Sequence, residues 1–486
     1  MNESSLIQKV WNYATVLKNE GVHYGAYISQ ISFLLFLKMD DEAATRLGEP
    51  SALPEDCRWS VIRDYQGEAL AARYGKILSK LSREDGLIGA IFLKAQNEIQ
   101  DPAKLRRLVT LIGEETWLGL DIDTKGAIYE GLLERNAAEV KSGAGQYFTP
   151  RPLIDVMTAV IDPQPEESVH DPACGTGGFL LATWERMKAN PRAKDRRLQQ
   201  RMRARLSGVD IVPDVVRLCA MNMYLHGAAR SESMIDRADA LIRKNGEYDV
   251  VLTNPPFGKK QGYRIVGPDG EIETEREEYN RPDFIKTTSN KQLNFLQHIM
   301  SILKIDGRCG VVLPDNVLFE GAGADIRKRL LDNYDFHTLL RLPTGIFYKQ
   351  GVKANVLFFD RKPASEEPWT KELWIYDLRT NMGFTQKERP MKRPDLDDFV
   401  ASYCAANRTK RKESDRFRRY TYDQLLKRDK FNLDIFWLKD DSLDDPDLLP
   451  APDEIAAEIV ESLETALEKF RKVAATLQPG SASLIE

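Results

Sequence analysis

The sequence predicts an α/β fold: a mostly parallel sheet covered by helices on both faces, with an all-helical region ahead of it and a helical tail behind it. Three observations carry this prediction. Between residue 146 and about residue 377, short apolar strands alternate with helical patterns, as parallel βαβ units require. Inside that stretch, Val169-His170 runs into the glycine turn Asp171-Pro172-Ala173-Cys174-Gly175-Thr176-Gly177-Gly178-Phe179 and then into an apolar helix through Leu180, Leu181 and Trp184. Before and after the stretch, apolar residues recur at helical spacing.

Taken in order, the helical region comes first. Leu6, Val10, Ala14 and Leu17 share a helical face, residues 28–39 form a dense apolar helix, and Pro50 and Pro54 interrupt the pattern. A further helix over 123–139 leads into the glycine-bearing stretch 142–145, which places one domain at 1–140 and the α/β domain at 141–400. The glycine turn opens the α/β pattern. It is not a dinucleotide fingerprint, because the third glycine position counted from Gly175 holds Leu180, and no Gly-Lys-Ser/Thr follows to make a P-loop. Its glycines let the backbone approach a ligand, and the helix start offers free N–H groups.

Leu206-Ser207-Gly208-Val209-Asp210 is the second strand, with an acid at its carboxyl end that can accept both ribose hydroxyls of a nucleoside ligand. Arg237-Ala238-Asp239-Ala240-Leu241 offers another acid, which reads equally as a helix cap or as a holder for an adenine amino group. Tyr248-Asp249-Val250-Val251-Leu252-Thr253 is an apolar strand that ends in Asn254-Pro255-Pro256-Phe257. After a long polar stretch at 258–290, Asn294-Phe295-Leu296 opens a helix in which Phe295 reads as core more readily than as pocket lining. The tail, 453–478, repeats Ile455, Ile459, Leu463, Leu467 and Phe470 on one face behind an acid- and proline-rich part of the connector 401–452.

The turn after Thr253 carries the chemistry. An exocyclic amine on a nucleobase is a poor nucleophile, because its lone pair is delocalised into the ring. Its hydrogens need two fixed acceptors that draw the nitrogen towards tetrahedral geometry. The Asn254 side-chain oxygen and the Pro255 carbonyl can be those acceptors, two prolines lock the backbone that aims them, and Phe257 can stack on the base. No Cys occupies the turn, so a covalent adduct to a pyrimidine is disfavoured. A loop that merely contains Asn and Pro is common punctuation, so the surrounding motifs decide.

Together these motifs resemble class I methyltransferases that use S-adenosylmethionine, and within them the amino-methylating DNA enzymes marked by Asn/Asp/Ser-Pro-Pro-aromatic. Asn254 to Phe257 and Asp171 to Phe179 match without a gap. Lys141-Ser142-Gly143-Ala144-Gly145-Gln146-Tyr147-Phe148-Thr149-Pro150-Arg151 lies ahead of both, the γ order, and is similar to the corresponding segment of type I restriction-modification methylation subunits. Gly307 to Asn316 resembles that family's next strand and loop, and Leu342 to Phe347 followed by Asn355 to Phe359 resembles its closing hairpin.

The resemblance implies a seven-stranded Rossmann-like sheet and transfer of a methyl group from S-adenosylmethionine to N6 of adenine in double-stranded DNA. Asn254, Pro255, Pro256 and Phe257 would hold the amine and base. Gln146, Tyr147, Phe148, Thr149, Pro150 and Arg151 would lie over the methionine end of the cofactor. Asp171 would orient its amino group, Gly175, Thr176, Gly177 and Gly178 would give backbone contacts, Asp210 would hold the ribose, and Asp239 the adenine. His170 reads as structural rather than as a general base. The target must rotate out of the duplex, and the stretch 258–290 reads either as a mobile loop that orders around DNA or as simple disorder. The family pattern implies two such subunits with one specificity subunit, joined by the C-terminal region, and a restriction subunit that can join them.

Composition sets independent bounds. The chain has 486 residues, enough for two or three domains, and 42% hydrophobic with 29% charged residues is ordinary for a soluble protein. Five cysteines show neither metal-ligand spacing nor a disulfide framework, no metal is expected, and a reducing cytoplasm fits. No signal peptide or membrane-length apolar run is visible. A net charge of −5 is unlike a protein that grips DNA unaided, which favours a subunit that borrows grip and sequence choice from partners. The basic clusters 188–205 and 407–419 read as DNA contacts or, more commonly, as solvated faces. Alternatives are a stand-alone enzyme acting on cytosine N4, RNA or a protein glutamine, or a catalytically silent assembly module.

Overall fold

In the helical region, α1 (Tyr24–Leu47) buries Ile28, Ile31, Phe33, Leu34, Phe36 and Leu37, which lie on several faces of the helix, so it must be packed on most sides. Two amphipathic helices supply part of that packing, α2 (Gly67–Leu81) and α3 (Pro102–Gly113). α3 starts where sequence logic puts a start: the Asp101 carboxylate accepts the Ala103 N–H at 2.8 Å, and Pro102 takes the first helical position. The computed structural model describes residues 24–47, 50–117 and 149–439, apart from short stretches at 231, 245, 258–261, 267–271, 277, 348–351 and 386–388, with helical positions 456, 460, 463 and 467. The expected helices around Leu6 to Leu17 and over 123–139, and the stretch 142–145, lie outside the described residues.

The α/β part is built on β1 (Val169–Asp171), β2 (Leu206–Asp210), β3 (Ile235–Arg237), β4 (Tyr248–Thr253), a separate hairpin of β5 (Gly262–Val266) and β6 (Ile272–Arg276), then β7 (Leu303–Pro314), β8 (Tyr334–Arg341), β9 (Ala354–Arg361), β10 (Glu372–Asp377) and β11 (Phe417–Thr421). The main sheet has nine strands in the order β11-β10-β8-β9-β7-β4-β1-β2-β3. Neighbours are parallel except that β9 runs against both β7 and β8, and β11 against β10. The helices α4 (Arg151–Ile161), α5 (Gly178–Lys188), α6 (Arg196–Arg205), α7 (Pro213–Leu225), α8 (Lys291–Ile302) and α9 (Ala324–Asn333) accompany it.

The seven strands from β3 to β8 are those the resemblance implies, including the β8–β9 hairpin, where Leu340 faces Val356. Two more extend the sheet. β10 is buried almost throughout because β11 covers its edge, with Phe417 against Trp374 at 4.8 Å between ring centroids. The basic run around Phe417 is therefore largely structural. Arg408 pairs with Asp360 at 2.6 Å and Asp335 at 3.3 Å, buried Arg411 donates to the carbonyls of Tyr403 and His337, and Arg419 pairs with Glu372.

The helical region is tied to the sheet through α7. Arg217 donates from one face of that helix to the Leu93 carbonyl at 2.8 Å and the Ser29 hydroxyl at 3.2 Å, and Tyr224 meets Phe36 at 4.8 Å between centroids. The segment after the Asn254 turn carries regular structure among its described residues. It contains the β5–β6 hairpin, and beyond it Arg281 is buried. No helix among the described residues is long and apolar enough to cross a membrane. In the tail, Val460, Leu463 and Leu467 are exposed, while Ile455, Ile459 and Phe470 lie outside the described residues.

Candidate active site

The strand order turns at β1, whose neighbours β2 and β4 lead the chain in opposite directions, so a crevice opens at the carboxyl ends of these three strands. Asp171 closes β1 there. It is buried, its Oδ1 accepts the Ala173 N–H at 3.1 Å, and burial, with the Asp210 charge adding to it, pushes its pKa up to about 7. The turn that follows is shaped by Gly175 at φ +54° and Gly177 at φ +87°. A Cβ on Gly177 would stand 2.7 Å from the Cys219 sulfur, and one on Gly178 2.7 Å from Ile154 Cδ1, so the turn is pressed onto α7 and α4. At Gly175 it faces open space. The Thr176 carbonyl accepts from Asn222 Nδ2 at 3.0 Å, which fixes the middle of the turn.

Asp210 ends β2 half-buried, accepts Val212 N–H at 2.8 Å through Oδ1 and Gly175 N–H at 3.3 Å through Oδ2, and so braces the turn it faces. Burial raises its pKa from the usual carboxylate value. The next residue, Ile211, is exposed, an apolar surface beside an acid that the sequence reading passed over. Asp239 follows β3: Oδ1 accepts the Leu241 N–H at 2.9 Å as a turn cap, and Oδ2 accepts the Tyr279 hydroxyl at 2.8 Å.

At the end of β4, Asn254 Nδ2 donates to Thr149 Oγ1 at 2.8 Å, and Asn254 Oδ1 is buried with no hydrogen-bond donor among the described residues. Thr149 and Pro150 lead into α4, whose first residue Arg151 pairs with Asp155 at 3.1 Å. The fold thus brings this end of the upstream motif to the Asn254 turn, while Gln146, Tyr147 and Phe148 lie outside the described residues. Pro255 is buried, Pro256 half-buried, and Phe257 meets Phe347 edge to face at 6.0 Å between centroids. Phe347 comes from the turn after β8; its stretch signalled a hairpin in the sequence, and no local signal tied it to Phe257.

His170 lies between stacked Tyr248, 4.1 Å away between centroids, and Ser207, whose hydroxyl meets Nδ1 at 2.8 Å. Burial holds its pKa down to about 4, so it stays neutral at pH 7 within this packing. Phe295 is core, packed with Val209, Ala240 and Leu241. Among the described residues no cluster of His, Cys, Asp or Glu has the arrangement to hold a metal ion.

Gly345 sets the position of Phe347. Its φ is +82°, and a Cβ would stand 2.3 Å from the Phe384 carbonyl oxygen. Gly345→Ala is expected to destabilise the chain by about 2 kcal/mol in urea unfolding, since the left-handed strain and the backbone clash add.

Residues 120–438 match the family model described as N-6 DNA Methylase, and residues 6–112 match that of the HsdM N-terminal domain. The type I restriction enzyme StySJI methylase subunit of Salmonella typhimurium is 37% identical, over 96% of this chain and 94% of its own. The EcoKI methylase subunit of Escherichia coli is 36% identical over 97% and 94%. The crystal structure of the EcoKI M protein superposes with a TM-score of 0.53 at 32% identity, covering 99% of this chain and 97% of that one. A chain from a structure described as the basis of complex assembly and conformational transition of the type I R-M system gives a TM-score of 0.72 at 26% identity, covering 99% and 100%.

Proposed function

The chain belongs to the N-6 DNA methylase family, alongside the methylase subunits of type I restriction enzymes, and we propose that its crevice at β1, β2 and β4 binds S-adenosylmethionine and its Asn254 turn holds the target adenine. The observation that carries this reading is the buried Asn254 Oδ1 without a donor, beside an Nδ2 committed to Thr149. A buried acceptor left unmatched costs about 1–3 kcal/mol, and at the end of β4, beside the crevice, a ligand N–H is the donor that would satisfy it.

With Nδ2 donating to the Thr149 hydroxyl, Oδ1 is left as the acceptor of the Asn254 amide. One amine hydrogen goes to Asn254 Oδ1 and the other to the Pro255 carbonyl, and Pro255 and Pro256 keep both acceptors aimed while the nitrogen attacks. Phe257 stacks on the base, and Phe347, set against it, backs that wall. S-adenosylmethionine, when bound, would supply a methyl on a sulfonium, which departs as a neutral thioether and so needs neither acid nor metal, while the proton shed by the methylated amine passes to solvent. The residues of the crevice fit it. Gly175 offers open space for close approach, Thr176, Gly177 and Gly178 give backbone contacts, Asp171 takes the amino group, Asp210 the ribose and Asp239 the adenine, with exposed Ile211 as an apolar surface for the ring. On the same reading, Gln146, Tyr147, Phe148, Thr149, Pro150 and Arg151 would cover the methionine end.

The target adenine must leave the duplex to reach Asn254. With a net charge of −5, the chain is suited to take its grip and sequence choice from a specificity subunit, two methylation subunits to one, with a restriction subunit as a further partner. The same proposal divides the chain into a helical part (1–140), a catalytic part (141–400), a connector (401–452) and an association helix (453–478). The cytoplasm is its proposed location.

The test is to co-purify the chain with the product of its neighbouring gene, add DNA and methyl-labelled S-adenosylmethionine, and identify the labelled nucleoside. N6-methyladenine formed only with the partner is expected. Label in cytosine, RNA or protein would overturn the assignment.

A further inference from the structure

Asp239 and the catalytic turn lie on different strand ends, yet one stretch of chain touches both neighbourhoods. The segment that leaves Phe257 returns at Tyr279, whose hydroxyl donates to Asp239 Oδ2 at 2.8 Å, while Oδ1 of the same carboxylate takes the Leu241 N–H at 2.9 Å. A carboxylate held at each oxygen by one donor cannot rotate freely, and each oxygen keeps a second acceptor direction for a ligand.

The return is firmly built. Tyr279 and Phe284 pack on the apolar group of Val209, Ala240, Leu241 and Phe295. Buried Arg281 donates to the Leu241 carbonyl at 3.2 Å and pairs with Asp283. Its Nη1 also meets His298 Nδ1 on α8 at 2.9 Å, and burial keeps that imidazole neutral, so Nδ1 can accept. Lys286 and Gln297 exchange two hydrogen bonds, Lys286 N–H to Oε1 at 2.8 Å and Nε2 to the Lys286 carbonyl at 3.0 Å. The stretch 279–286 is thereby pinned to the Asp239 turn on one side and to α8 on the other.

We propose that Tyr279 is a positioning residue: it sets the Asp239 carboxylate for the cofactor's adenine amine and couples the adenine pocket to the chain that leaves the catalytic turn. This rests on the reading that Asp239 receives that amine. A ligand that tightens Asp239 stabilises the 279–286 return, and by reciprocity a stabilised return improves cofactor affinity.

The test measures binding of S-adenosylmethionine to the full chain by calorimetry, beside an analogue with hydrogen in place of the adenine 6-amino group. Tyr279→Phe keeps the packed ring, so the melting temperature of the free chain should hold. It should weaken the natural cofactor about fivefold to tenfold while leaving the analogue unchanged. Cofactor should also protect the amides of 279–286 from hydrogen exchange in the native chain and lose that effect in Tyr279→Phe. Phe284→Leu loosens the same packing without touching the hydroxyl and gives the size of a merely structural loss, equal for both cofactors. Native affinity in Tyr279→Phe, or an equal loss for both cofactors, would overturn the proposal. Asp239→Asn separates the two readings. If it loses discrimination for the amine while Tyr279→Phe keeps it, only the role of Tyr279 fails; if it binds both cofactors as the native chain does, the adenine assignment fails and the role of Tyr279 with it.

Discussion

Asn254→Ala is expected to lower methyl transfer by about a thousandfold or more, with S-adenosylmethionine affinity changed by less than about twofold. The asymmetry follows from where the side chain stands. Asn254 lies at the end of β4, held by Thr149, whereas the proposed cofactor acids close β1 and β2 and follow β3. Its Oδ1 accepts nothing from the described protein, so the substitution removes the acceptor for the amine and, on the protein side, the Nδ2 bond to Thr149. Single-turnover methylation against calorimetric cofactor binding reads the two effects apart. Thr149→Val, which frees the amide to turn, should cost about tenfold in rate, a smaller loss through the same group. Retained turnover in Asn254→Ala would remove the assignment of the turn.

Asp171→Asn is expected to weaken cofactor binding about a hundredfold and to abolish its pH dependence below neutrality. In the free chain, burial raises the Asp171 pKa to about 7. A cofactor ammonium favours the carboxylate, so binding below pH 7 must expel a proton, and affinity should fall about tenfold for each unit of pH below that point and level off above it. The sign for folding is opposite. Because the folded free chain holds this proton more tightly than the unfolded chain, the stability this group contributes is fully present below the ordinary value of 3.8 and is lost as pH rises through about 7. Calorimetric titrations between pH 5.5 and 8 check the first sign, and melting of the free chain over the same range checks the second. A flat binding profile in the native chain would exclude an ionic role for Asp171.

What the sequence made legible was local. A strand that ends in an acid, followed within a few residues by glycines and an apolar helix, is set by backbone sterics and periodicity, so β1 with its turn, β2 and β4 were readable in place. The outermost strand was hidden for a physical reason: in β11 only Phe417 is fully buried while Arg418 and Arg419 face water, so the segment reads as a basic patch. The β5–β6 hairpin carried a signal that could have been used, Gly267-Pro268-Asp269-Gly270 between two extended runs. The bonds from Tyr279 to Asp239 and from Asn254 to Thr149 leave no such trace. Each joins side chains far apart in sequence, and the register of the whole sheet must exist before either distance does.

The course of the chain after β11 has a consequence for assembly. The Leu433 N–H donates to the Leu318 carbonyl at 2.9 Å, the Asp434 carboxylate meets Arg341 at the end of β8 at 2.5 Å, and Asn381 Nδ2 reaches the Lys439 carbonyl at 3.1 Å. The connector is therefore moored, as far as Lys439, at the carboxyl edge of the sheet, the edge that also carries the Asn254 turn. Any body joined to the chain beyond Lys439 is leashed within reach of that edge, and its encounter with the catalytic face is governed by tether length rather than by its bulk concentration.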